Sequence, residues 1–326
     1  MKDYKISLIR ILAMISIVLC HIFQAKNMGI AFWLNVGVQV FLFMSGFLYG
    51  KKEIKSTWLW LKKQYSKILI PYYVYVILMI VFYIIFERDS ISFKNIVSLL
   101  LCFQIFDTTY GLNHFWFIPI ILMCYLITPF LQKVLKNESK SEITKLAIIF
   151  FIIFYVEVFA YLTPVDNRIS NIICYIIGYF IAYLSYKNKK QEKIISILIV
   201  LFAIIFNIIK IFIIPDKSNI LLHSIFKIII ENSHILLGIA LFIFLYKILK
   251  KIEVRLNPKG KKIIDFIDKY CFYIYITHHI FILGPFSIMN LTFSSILNII
   301  IIICCTAISS YLLSKLTGLV KKELIK

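Results

Sequence analysis

Arg10 and His21 lie eleven residues apart in the first apolar stretch of the chain, KISLIRILAMISIVLCH. At about 100° per residue an eleven-residue step comes within about 20° of three full turns, so both side chains share one helix face, roughly 16 Å apart along the axis. Ionisable groups inside hydrocarbon cost several kcal/mol and mark substrate paths or catalytic groups. The arginine offers a charged fork for phosphate or carboxylate. The imidazole can take the proton of a hydroxyl, which is a poor nucleophile until that proton has somewhere to go. Arg10, Ala13, Ile17, His21 and Gln24 form one stripe at helical offsets.

Other imidazoles fall in or beside later apolar stretches: His114 opens NHFWFIP, and His278/His279 lie in YIYITHHIF. A histidine in such a place also serves merely to hydrogen-bond a neighbouring carbonyl. Trp116 and the Tyr72/Tyr73 pair suit membrane interfaces without any chemistry. Asn35, Gln39, Gly46 and Gly50 read as interhelical glue and close packing. The seven cysteines lie in apolar segments with no CxxC pattern and no histidine at metal-ligand spacing, and are read as core residues. Cys20 and His21 diverge by about 100° on a helix and cannot act as a pair. No metal set is expected.

The elements that must carry these residues are membrane helices. With 61% hydrophobic and 16% charged residues, 10 Gly and 7 Pro, and a mean hydropathy of +0.90, the composition is that of an all-α, polytopic transmembrane helical bundle. The net charge of +20 is not a nucleic-acid signature, because the lysines cluster in short connections. Candidate spans lie near 6 to 24, 31 to 49, 68 to 86, 115 to 132, 145 to 163, 168 to 186, 194 to 214, 233 to 249, 270 to 288 and 294 to 316, about ten in all.

Basic clusters at Lys2/Lys5, Lys51 to Lys67, Lys133 to Lys145, Lys187 to Lys193, Lys247 to Lys262 and Lys321/Lys322 occupy alternate connections. Loops around Lys26, Glu87 to Lys94, Asp166/Arg168 and Asp216/Lys217 carry few cations. The positive-inside rule then puts both termini in the cytoplasm. Residues 96–106 are too short to cross and read as interfacial or re-entrant. The amphipathic stretch 219–232 reads the same way, or as an extension of the eighth span into one long helix. A single membrane domain over 1–326 is expected, with no attached soluble domain and with the first helix as a signal anchor.

These residues together resemble the membrane-bound acyltransferase 3 family. The first helix with its Arg10 and His21, the run VFLFMSGFLYG with Ser45, Gly46 and Phe47, and the basic entry KKQYSKILIPYY with Lys67 ahead of Pro71 are similar to successive family features. HFWFIPIILMCYLITP, with His114 and Trp116, resembles the family's "WF" helix, and YIYITHHIF a later histidine helix, with His278 the better match and His279 the lesser. The family often has arginine where this chain has Lys67.

The resemblance implies transfer of an acyl group, commonly acetyl, from cytoplasmic acyl-CoA to a hydroxyl of a surface polysaccharide or lipid-linked glycan in the cell envelope. It implies a bacterial plasma membrane location and no cofactor beyond the donor. Family members also occur with a fused extracytoplasmic hydrolase-like domain, so a separate envelope-synthesis protein is a candidate partner here. On this reading Arg10 and His21 are catalytic, with His21 as general base or acyl carrier. Lys67 and Arg10 meet CoA phosphates. Ser45, Trp116, His114 and His278 contact substrate, the two imidazoles orienting the acceptor or donating to an oxyanion. The competing class is a transporter or flippase of a lipid-linked sugar or small polar solute, lined by Glu157, Lys210, Lys227 and Glu231.

Overall fold

The first helix starts where Asp3 accepts hydrogen bonds from the backbone N–H groups of Lys5 and Ile6, at 3.1 and 3.4 Å, satisfying two of the donors a helix N-terminus leaves free. It runs over Tyr4–Ala25 (α1) and stops where Asn27 takes a left-handed conformation (φ 54°). The computed structural model describes residues 2–162, 168–212 and 220–325. The loop charges Asp166, Asp216 and Lys217, and the side chains of Lys227 and Glu231, lie outside that description.

All regular structure among the described residues is helical. After α1 come α2 (Ile30–Leu34), α3 (Gly37–Gly50), α4 (Thr57–Phe86), α5 (Phe93–Leu100), α6 (Phe117–Leu135), α7 (Glu142–Leu162), α8 (Ile172–Lys187), α9 (Lys189–Phe212), α10 (Ile220–Arg255), α11 (Pro258–Thr277), α12 (His279–Ile282) and α13 (Ser295–Ile325). A 3-10 turn, Asn113–Trp116, leads into α6. Eight described segments are long and apolar enough to cross a membrane: Tyr4–Ala25, Ile30–Gly50, Thr57–Phe86, Asn113–Leu135, Glu142–Leu162, Ile169–Lys187, Lys189–Phe212 and Ser295–Leu324. Each coincides with an expected span. The chain is therefore an all-α, multi-pass membrane protein.

The remaining expectations take other forms. The stretch 96–106 is the short α5, closed at its start by a reciprocal Ser92/Asn95 capping box, followed by a turn in which Cys102 has φ 57°. Tyr72 and Tyr73 of α4 hold it by donating to the carbonyls of Leu99 and Leu100, at 2.7 and 3.0 Å. Residues 220–255 form one continuous helix, the long-helix alternative for the eighth span. The expected span 270–288 is not one helix: α11 ends at Thr277, α12 is a single turn, and no helix follows until Ser295. The cause is local. Thr277 Oγ1 and His278 Nδ1 bond back to carbonyls of the preceding turn, at 3.0 Å for Tyr273, 3.0 Å for Ile274 and 2.9 Å for Tyr275, and Gly284 then adopts φ 120° ahead of Pro285.

The chain divides into two units, Met1–Asn35, Trp58–Leu122 and Leu256–Lys326 in the first, and Val36–Thr57 and Met123–Arg255 in the second. In the first, α1 packs against α2, α11 and α12, and α13 against α11 and α12. In the second, α3 lies along α8 and α10, and α10 along α9. The α3/α8 seam is close because it is built on glycine: a Cβ at Gly46 would run into the Tyr175 carbonyl, and one at Gly178 into the Phe43 carbonyl. Gln39 donates to Asn171 Oδ1 at 2.8 Å across the same seam, so the amide and glycine stripe of α3 is packing.

Candidate active site

Four of the chain's six histidines meet in the first unit. α1 delivers His21 near its C-terminal end, the 3-10 turn before α6 delivers His114, and the break between α11 and α12 delivers His278 and His279. Ring centroids of His21 lie 4.6 Å from His279 and 5.3 Å from His278. Those of His114 lie 4.6 Å from His279 and 5.2 Å from His278. His114, His278 and His279 are buried, whereas His21 is only half-buried.

The loops are held so that these rings converge. The Tyr275 hydroxyl donates to the His114 carbonyl, and the Tyr83 hydroxyl donates to the Tyr110 carbonyl at 2.6 Å. Gly111 (φ 83°) and Gly284 (φ 120°) approach so closely that a Cβ on Gly284 would meet the Gly111 Cα. Both need glycine on two counts, backbone conformation and contact. Beneath His21, the apolar cluster of Ile22, Ile282, Met289 and Ile302 ties α1 to the α12 loop and α13.

Each ring has one nitrogen committed to an oxygen that only accepts, and this assigns its tautomer. His21 Nδ1 lies 3.1 Å from Gln24 Oε1, His279 Nδ1 2.7 Å from the Gly111 carbonyl, and His278 Nδ1 within 3.0 Å of two carbonyls. The two rings that face backbone carbonyls, His278 and His279, therefore carry the proton on Nδ1. His114 is the reverse, with Nε2 3.2 Å from the Ile276 carbonyl. The free nitrogens are lone-pair acceptors. A neutral His21 that donates from Nδ1 to Gln24 Oε1 leaves on Nε2 the lone pair a general base requires. The neutral rings of His114 and His278 have no N–H left to give an oxyanion. Among the described residues no three of His, Cys, Asp or Glu converge as ligands of one metal ion.

Arg10 lies down the same face of α1 and does not stand alone. Its Nη1 lies 2.5 Å from Asp268 Oδ1 on α11. Asp268 also accepts from Ser7 Oγ at 2.9 Å and lies 3.1 Å from Lys2 Nζ. Lys2 reaches Asp265 as well, at 2.6 Å. Burial would lower the Lys2 ammonium, yet hydrogen bonds to Asp265 and Asp268 and their charges hold it above its ordinary value. Arg10 keeps about a third of its side chain accessible (31%), with donors beyond the one spent on Asp268.

Lys67 is exposed on α4 and donates to Gln64 at 3.3 Å. Trp116 is half-buried in the 3-10 turn. Ser45 belongs to α3 in the second unit, half-buried. In that unit Glu157 accepts from Ser170 Oγ at 3.3 Å. Two site residues were missed by reading the sequence. His279 ranked below His278, although its ring is the nearest imidazole to both His21 and His114. Asp268 was legible only through the rule that a charge among apolar residues needs a counter-charge, which says that a partner exists and not which carboxylate it is.

Residues 3–315 match the family model described as an acyltransferase domain, so the chain belongs to the acyltransferase 3 family and is a membrane acyltransferase. No curated protein and no solved structure matches the chain.

Proposed function

We propose that the protein is an O-acyltransferase of the bacterial plasma membrane, with both termini in the cytoplasm. It moves an acyl group, commonly acetyl, from cytoplasmic acyl-CoA to a hydroxyl of a cell-surface polysaccharide or lipid-linked glycan. The observation that carries this reading is the half-buried His21, its Nδ1 3.1 Å from Gln24 Oε1 and its ring backed by three buried imidazoles.

His21 Nε2 takes the hydroxyl proton as the oxygen attacks the thioester carbonyl. The tetrahedral adduct collapses by breaking the carbon–sulfur bond. The imidazolium then returns the proton to the departing CoA thiolate, leaving an ester, a thiol and a neutral ring. Arg10, held by Asp268, offers its remaining donors to CoA phosphates about 16 Å along α1, and Lys67 adds a cation on α4. Ser45 and Trp116 are further candidate contacts for the substrates.

The test is ester-linked acetyl on surface polysaccharide isolated from cells producing the wild type or His21→Ala, with membrane levels of both proteins matched. Ester with the wild type and at least about a hundredfold less with the variant is expected, since a positioned general base contributes about 10² to 10⁴. Equal ester from both would overturn the assignment of His21.

A further inference from the structure

Three helix C-termini and one helix start meet around a cavity of the second unit: α3 ends at Gly50, α6 at Leu135 and α8 at Lys187, and α7 begins at Glu142. All four are ends of membrane-length segments, so the cavity lies where spans leave the hydrocarbon, at the level of lipid phosphates. Its volume is about 630 Å³, in the range of a small-molecule site. Lys51, Lys136, Lys145 and Lys187 line it with Glu53 and Glu138, four lysines against two glutamates, a formal charge of +2.

A lysine near a helix C-terminus complements the macrodipole, and Lys187 in the last turn of α8 is accounted for in that way. Lys145 is not. It stands in the first turn of α7, where the macrodipole disfavours a cation, and its side chain is only 4% exposed. Its Nζ donates to Glu142 Oε1 at 2.9 Å and to the Tyr183 hydroxyl at 3.1 Å, which fixes the ammonium in the wall and leaves a third N–H. Lys136 and Lys187 are exposed and form no ion pair among the described residues. From the same point α7 carries an exposed apolar stripe, Ile143, Leu146, Phe150 and Phe154, at offsets of three and four. A soluble phosphate has no use for that stripe. A phospholipid covers it with an acyl chain while its phosphate meets the lysines.

We propose that this cavity is a phosphate site filled by the headgroup of an anionic phospholipid, with an acyl chain along α7. Basic pockets between membrane helices recognise such headgroups. The histidine cluster belongs to the first unit, and lipid binding can be read whether or not acyl transfer takes place.

The test is lipid binding by the full-length protein in detergent, read by native mass spectrometry with dioleoyl phosphatidylglycerol and dioleoyl phosphatidylcholine, whose chains are identical. The wild type should prefer phosphatidylglycerol at least about tenfold, since each lysine facing an anionic headgroup contributes a factor of about five. Lys136→Ala/Lys187→Ala should lose that preference with unchanged melting temperature, and Lys136→Arg/Lys187→Arg should keep it. Lys321→Ala/Lys322→Ala, the same change of charge outside the cavity wall, should keep it too. Equal binding of the two lipids by the wild type overturns the proposal. Equal loss in the Lys321/Lys322 variant also overturns it, because attraction to net charge then suffices. Millimolar ADP, a soluble phosphate ester, should shift the melting temperature of the wild type and of the alanine pair alike. Stabilisation by ADP that the alanine pair removes, in a protein without lipid preference, assigns the cavity to a soluble ligand and overturns the lipid.

Discussion

A histidine is a base only at the nitrogen its surroundings leave unprotonated, and in this chain that choice is made by carbonyl groups. His21 Nδ1 faces Gln24 Oε1, one turn further along α1, at 3.1 Å, so Gln24 is the residue placed to hold its proton there. Gln24→Leu removes that acceptor, lets the proton move to Nε2 and should lower acyl transfer about tenfold, the cost of one hydrogen bond lost. Gln24→Glu keeps an acceptor oxygen and should retain most of the activity. Ester yield from the two variants at matched protein levels checks this, and equal yields would show that Gln24 does not set the tautomer. The Arg10 and His21 stripe was legible in the sequence because both residues lie on one helix, where spacing fixes the face. The pairing of Arg10 with Asp268 spans 258 residues and no local rule encodes it.

At the scale of elements, apolar length marked the helices well and their interruptions poorly. Hydropathy continues through YIYITHHIFIL, so residues 270–288 look like one span. The helix is interrupted at His278, where the Thr277 and His278 side chains bond to carbonyls of the previous turn, and His278 and His279 meet His21 of α1 there. The glycines divide in the same way. A methyl at Gly46 meets the Tyr175 carbonyl, and α3 and α8 must separate to hold it, whereas one at Gly318 in α13 meets nothing. Gly46→Ala should destabilise the protein by about 1 to 3 kcal/mol. Gly318→Ala should leave it unchanged or stabilise it by up to about 1 kcal/mol, since glycine is a poor helix former. Thermal melts in detergent distinguish the two, and equal melting temperatures would mean that the α3/α8 seam tolerates a methyl.

For the whole molecule the governing quantity is the distribution of lysine. Basic clusters recur at alternate connections from Lys2 to Lys322, and if both ends lie in the cytoplasm, as proposed, a C-terminal green fluorescent protein fusion should fluoresce while an alkaline phosphatase fusion stays inactive. Active phosphatase at that end would require an odd number of crossings. Composition, span positions and the shared face of Arg10 and His21 were determined by the sequence alone, because hydropathy and helical periodicity act over neighbouring residues. Tertiary structure decided what crosses long separations. It brought His114, His278 and His279 against His21, joined Asp268 to Arg10, and set the Ile276 and Gly111 carbonyls against His114 Nε2 and His279 Nδ1. Those choices depend on where carbonyls of distant turns come to rest, which only the packed chain determines.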